Sequence, residues 1–103
     1  MKRRVFIQPQ AQEDLRSIVS YVASQSVPSA VKVGALLEHA IGDLGVGALQ
    51  YALLNRYRAA GIRRRVVGAY NVYFRVTDDR VDVLRIVHSA RDVARLLPEA
   101  DES

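Results

Sequence analysis

The chain has 103 residues, half of them hydrophobic and a quarter charged, which fits one folded domain and excludes a disordered chain. It has no cysteine, so neither a disulfide framework nor a thiolate metal site is available, and no apolar run approaches the roughly 20 residues of a membrane span. The N-terminal MKRRVFIQPQ carries charge without an apolar signal region, so a cytoplasmic protein is expected, with no cofactor.

The net charge of +4 hides an imbalance. Three acids, Glu99, Asp101 and Glu102, sit at the end, leaving fifteen basic and eight acidic residues over 1–98. A single domain over 1–98 with an acidic flexible tail over 99–103 is therefore expected. Thirteen of the fifteen bases are arginine, whose planar fork of donors matches carboxylate and phosphate. The charge suits an acidic partner, either nucleic acid or an acidic protein segment, or else a basic solubilising surface with no specific partner.

In chain order, residues 3–8 contain Val5, Phe6 and Ile7 and predict a short first strand. Pro9 suits the first turn of a helix, and Ala11, Leu15, Ile18, Val19 and Val22 continue it at helical spacing to Gln25. Pro28 opens a second helix whose stripe is Ala30, Val33, Leu37, Ala40, Ile41 and Leu44, ended by Gly45 and Gly47. Gly34 and Gly42 lie near one face of it, suited to close approach of another helix. So short a connection predicts an antiparallel helical hairpin. Residues 48–61 read equally as a short extra helix or as a loop carrying Arg56 and Arg58 to a sheet.

Strands follow at 62–67, 69–77 and 80–88. In the middle one Tyr70, Val72, Phe74 and Val76 alternate with Asn71, Tyr73, Arg75 and Thr77, the pattern of one packed and one wet face. A two-residue loop at Asp78-Asp79 pairs Phe74 with Val83, Val76 with Val81, Arg75 with Asp82 and Tyr73 with Leu84. At the preceding turn a two-residue loop, Gly68-Ala69, would turn Arg63 and Arg65 to the packed face. Because burying unpaired charge costs several kcal/mol, the three-residue turn Val67-Gly68-Ala69 is preferred. Arg63 and Arg65 then join Asn71, Tyr73 and Arg75 on the open face, leaving Arg64 and Arg85 on packed positions, to snorkel or to pair with helix carboxylates. The last strand is apolar on both faces and so central. Ser89, with Asp92 three residues on, opens a last helix with contacts Val93, Leu96 and Leu97 and a stop at Pro98.

Metal-free RNA cleavage needs a base, an acid and cations for the phosphorane. Arg63, Arg65, Arg75 and Arg91 are possible cations. His88 is the one acid–base candidate near them, histidine being the side chain that titrates near neutral pH. It shares the expected face of Leu84 and Ile86 and has no evident Glu or Lys partner, so a strand-end histidine bonded to backbone is the preferred reading. His88 and Arg91 stand only as candidates, and no catalytic set is assigned. His39 belongs to the polar side of the second helix beside Glu38. No metal-ligand spacing and no glycine-rich phosphate loop is present.

Four segments carry a resemblance: Ala11…Asp14-Leu15…Ile18…Tyr21-Val22-Ala23, Gly61-Ile62-Arg63, Tyr70 to Val76, and Ile86-Val87-His88…Arg91-Asp92. In this order the chain resembles the RelE/ParE family of bacterial type II toxins over nearly its whole length. The resemblance implies an α+β fold, an antiparallel sheet packed by an N-terminal helical hairpin in the order βααβββα. RelE-like members are ribosome-dependent mRNA endonucleases, typically with Lys/Arg/Tyr or Glu/Arg/His sets. ParE-like members inhibit DNA gyrase without a recognised active site. These strands contain no Lys and no Tyr follows Val87, and the helix opened by His88-Ser89-Ala90-Arg91-Asp92 looks ParE-like. The chain departs from the ParE-like pattern before Gly61, where an apolar ALQYALL run replaces a Pro-containing turn.

The resemblance thus implies a toxin that inhibits gyrase by protein–protein binding and is neutralised by a ParD-like antitoxin, through which alone it meets operator DNA. Arg63, Arg65, Tyr73 and Arg75, with Arg56 and Arg58, are the residues expected to bind the partner. A RelE-like nuclease and a non-toxic nucleic-acid-binding module are the alternatives.

Overall fold

A computed structural model describes residues 2–91, 93, 96 and 97. Its elements are β1 (Arg4–Ile7), α1 (Pro9–Gln25), α2 (Val27–Gly47), two 3-10 turns (Ala48–Gln50 and Asn55–Tyr57), β2 (Ile62–Val67), β3 (Tyr70–Val76) and β4 (Arg80–His88). Both helices have proline in their first turn, where its missing N–H leaves no bond unmade. Ser26 alone separates them. It ends α1, and its hydroxyl accepts from the Ser29 N–H at 3.2 Å to cap α2. The helical hairpin follows from that one residue.

The four strands are ordered β1-β4-β3-β2. β4 is central, as its two apolar faces predict. β2–β3 and β3–β4 are antiparallel, whereas β1 joins β4 in parallel, so the sheet is mixed rather than antiparallel throughout. Gly45 lets α2 close on β1: the Arg3 N–H donates to the Gly45 carbonyl at 2.6 Å, and a Cβ there would lie 2.9 Å from the Arg3 carbonyl oxygen. Gly34 meets α1 at Val19, while Gly42 faces open space, so only the first fits close helix approach.

The main core lies between the hairpin and one sheet face, with Leu37, Ile41 and Leu44 of α2 against Val72, Phe74, Val81, Val83 and Ile86. The opposite face is not simply wet. Tyr57, Ile62, Tyr73, Val87 and Leu97 form a second buried cluster, flanked by Leu54, Leu84, Val93 and Leu96. The chain before β2 and the residues after β4 together cover this side of the sheet.

Two register details depart from the sequence expectation. The turn between β2 and β3 has two residues, Gly68-Ala69, and pairs Val67 with Tyr70, Arg65 with Val72, Arg64 with Tyr73 and Arg63 with Phe74. Gly68 takes φ +58°, which a glycine adopts without strain. Arg63 and Arg65 therefore lie on the helix side, and Arg64 on the far side with Tyr73, opposite to expectation. The cost of burying charge did not decide the turn because β2 is an edge strand. There an arginine reaches the margin of the layer and finds carbonyl oxygens.

Between β3 and β4 the expected pairs Arg75–Asp82, Phe74–Val83 and Val76–Val81 form, but the register shifts at Tyr73. Tyr73 faces Arg85 instead of Leu84, with Leu84 as the extra residue of a bulge. The bulge leaves Leu84 in the second cluster and turns Ile86 and His88 to the helix side, so His88 shares a face with Ile86 and not with Leu84. Of the last expected helix, Asp92 and Pro98 lie outside the described residues, as does the 99–103 tail. The Val93 carbonyl accepts from the N–H groups of both Leu96 and Leu97, which makes one turn. Among the described residues no helix is long and apolar enough to cross a membrane.

Candidate functional site

From Leu44 to Thr77 the sequence holds six arginines and no Asp or Glu. The fold divides these six into two sets of three. Arg63, Arg65 and Arg75 are half-buried, and each donates to a backbone carbonyl: Arg63 Nη1 to Tyr51 at 2.6 Å, Arg65 Nη1 to Ala40 at 2.8 Å and Arg75 Nε to Ala60 at 2.9 Å. A carbonyl partner keeps the guanidinium hydrogen-bonded where water is partly excluded.

These bonds fasten residues 48–61 to the sheet. Tyr51 is the centre of that attachment. Its ring meets Phe74 edge-on at 6.1 Å, the Arg65 guanidinium lies 5.2 Å from the ring centre, and its carbonyl holds Arg63. A bridge between Leu53 and Arg63, with the Leu54 N–H on the Ile62 carbonyl, closes the start of the β2 edge. Sequence reasoning missed Tyr51. Its signal was a lone aromatic in an apolar run just ahead of an arginine-rich strand.

Arg56, Arg58 and Arg64 are exposed, and their side chains make no hydrogen bond or ion pair among the described residues. Arg56 comes from the second 3-10 turn, Arg58 follows that turn, and Arg64 projects from the outer side of β2. Arg56 and Arg64 line a hollow of about 200 Å³ with Leu54, Tyr57, Tyr73 and Val93 around it. Tyr73 is only 3% exposed and forms its floor, and Asn71 Nδ2 donates to the Tyr73 hydroxyl at 3.3 Å. The residues expected to bind a partner therefore do not share one open face. Arg56 and Arg58 are available, Arg63, Arg65 and Arg75 hold the frame, and Tyr73 is covered.

His88 ends β4 and is exposed. Its Nδ1 accepts from the Ala90 N–H at 3.1 Å, and its ring meets Tyr70 edge-on at 5.6 Å. That bond engages the Nδ1 lone pair with backbone, as the preferred strand-end reading expects. Arg91 is exposed beyond the turn, its N–H on the His88 carbonyl. His39 is exposed on α2 near Asp43.

The most enclosed ion pair is structural. Arg85 donates to both oxygens of Asp14 at 2.8 Å, and Asp14 Oδ2 also accepts from the Ile86 N–H at 2.9 Å. Hydrogen bonding to Asp14 raises the Arg85 pKa, burial opposes this, and the carboxylate charge adds to the rise. The expectation that Arg85 pairs with a helix carboxylate is met, whereas Arg64 is exposed. Asp82 faces Arg75 across the strands, but its ion pair is with Arg80 and it accepts a further bond from Gln8.

The chain's relatives agree with this geometry. Its fold is similar to a chain of the chromosomal ParDE toxin–antitoxin system from P. aeruginosa, with a TM-score of 0.71 and 22% identity, covering 84% of this chain and 96% of that one. It is also similar to a chain of the toxin–antitoxin complex RelBE2 from Mycobacterium tuberculosis, with a TM-score of 0.60 and 24% identity, covering 85% and 99%. No curated protein shows significant sequence similarity to the chain. Residues 5–93 match the family described as the ParE toxin of the type II toxin–antitoxin system parDE. With that match spanning both helices and all four strands, the chain belongs to the ParE toxin family.

Proposed function

We propose that this protein arrests growth by binding DNA gyrase, and that a ParD-like antitoxin neutralises it. The observation that carries the reading is the ParE family match over residues 5–93. The state of His88 supports an inhibitor over a nuclease, since its Nδ1 is occupied by the Ala90 N–H and no carboxylate or lysine bonds to it among the described residues. That one neighbour in fold comes from a ParDE system supports the choice of antitoxin. On this reading Arg56 and Arg58 touch the partner, while Arg63, Arg65, Arg75 and Tyr73 hold the surface in shape. The toxin acts in the cytoplasm and meets operator DNA only within the antitoxin complex.

The test is a gyrase supercoiling assay run beside a ribosome-dependent mRNA cleavage assay on the purified protein. Supercoiling is inhibited and mRNA stays intact. The His88→Ala variant inhibits as the parent does. Cleavage of mRNA that disappears in that variant would replace this reading with the RelE-like one.

A further inference from the structure

The hollow lies between the second 3-10 turn and the outer side of β2. It has an apolar lining from Leu54, Tyr57 and Val93, and two exposed arginines at its mouth, Arg56 and Arg64, with no acidic partner among the described residues. Arg58, exposed and without an acidic partner among the described residues, lies nearby in the chain. Elsewhere, the described acids Glu13, Asp14, Asp43 and Asp82 lie against bases of their own: Arg16, Arg85, His39 and Arg80. Arg56 and Arg64 keep their charge unmatched at the mouth of an apolar hollow, while Lys2, Arg4, Lys32 and Arg91 are exposed elsewhere.

We infer that this hollow is the seat of an acidic peptide segment of a partner protein that carries one apolar anchor side chain. The inference rests on the toxin reading above, and assigns the place and chemistry of its antitoxin contact. The anchor enters between Leu54 and Val93, over the covered Tyr57, and carboxylates on either side of it meet Arg56 and Arg64. Such a segment obtains burial from the anchor and charge-assisted hydrogen bonds from its flanks.

The volume selects this ligand over others. At about 200 Å³ the hollow is smaller than the roughly 300–1,000 Å³ of small-molecule sites, and suits a single side chain. A nucleic-acid strand needs ring faces for its bases, but Tyr57 and Tyr73 are each 3% exposed and offer none.

The experiment uses a fluorescein-labelled peptide of about twelve residues, rich in Glu and Asp with one central Leu, titrated with the whole protein in fluorescence anisotropy. Replacing the peptide's Leu by Ala weakens binding by about tenfold, the loss of one buried anchor. Arg56→Ala and Arg64→Ala each weaken it by a similar factor of roughly ten, and the double variant abolishes it. Lys32→Ala removes a charge from α2 and leaves the titration unchanged. Equal binding of the Leu and Ala peptides, a dT oligonucleotide of the same charge binding as tightly, or arginine variants that bind like the parent would each overturn the inference. The supercoiling assay reads the toxin proposal separately. A protein that inhibits gyrase yet ignores the peptide refutes this inference alone, and one that binds the peptide without inhibiting gyrase supports it while refuting the gyrase target.

Discussion

The two sets of arginines differ in what lies opposite them rather than in their own chemistry. Arg63, Arg65 and Arg75 face carbonyl oxygens of Tyr51, Ala40 and Ala60. Arg56, Arg58 and Arg64 face solvent, Arg56 and Arg64 at the mouth of an apolar hollow. Neighbours such as Arg63 and Arg64 have opposite roles because a strand sends successive side chains to opposite faces. A guanidinium toward the helices finds carbonyls at the margin of the packed layer. On the other side Arg64 is exposed, whereas Arg75 reaches the Ala60 carbonyl at the end of the segment before β2. Within the triple arginine of β2, the strand register decides which guanidinium is held by a carbonyl and which is exposed.

Variants test this division most sharply where an arginine is most enclosed. Asp14→Ala leaves Arg85 half-enclosed without its carboxylate and frees the Ile86 N–H, and lowers unfolding stability by about 3–5 kcal/mol in denaturant titrations. A loss near zero would mean that the tie between α1 and the bulge contributes nothing. Because the Arg85 pKa is raised in the folded state, its contribution is complete below the unfolded pKa of the guanidinium. It is lost only as pH rises through the still higher folded value. The Asp14→Ala deficit therefore has the same size at about pH 7 and about pH 9.

Smaller effects follow for the carbonyl-bound set. Arg63→Ala and Arg65→Ala each cost roughly 1–2 kcal/mol and speed hydrogen exchange at the Leu54 amide, which bonds to Ile62 beside the attachment. If both variants keep parental stability and exchange, residues 48–61 are not held by these arginines. Gly68→Ala puts a Cβ at φ +58° and lowers the melting midpoint, with a cost of about 1 kcal/mol. A neutral result would favour the three-residue turn. Smallest of all, Arg56→Ala, Arg58→Ala and Arg64→Ala shift stability by no more than about 0.5 kcal/mol. Their effect appears in antitoxin binding, measured by calorimetry on the complex. Destabilisation by any of the three would erase the distinction between the sets.

Much of the architecture was legible in local pattern. The proline before each helical stripe, the alternation from Tyr70 to Val76 and the doubly apolar β4 are each set within a few residues, so α1, α2, β3 and the central place of β4 follow from the chain alone. The pairing of Arg85 with a helix carboxylate was also legible, since a charge at a packed position needs a partner. The face of the triple arginine was not. The cost of unpaired burial on the helix side depends on where the sheet ends and which carbonyls lie there. Neither is visible before α2 and residues 48–61 are in place.

The amino-acid sequence by itself determined the elements, their order, the excess of arginine and the family, because propensity, periodicity and motif order act over short stretches of chain. Only the tertiary structure decided which arginines are held by carbonyls and which are exposed. The bulge at Leu84, the two-residue turn at Gly68 and the covering of Tyr73 by residues on either side of it in the chain each depend on contacts between distant segments. A one-residue change of register exchanges the faces of a whole strand. Strand pairing therefore fixed which side chains of β2 are exposed, and the candidate residues could be named from sequence but not sorted.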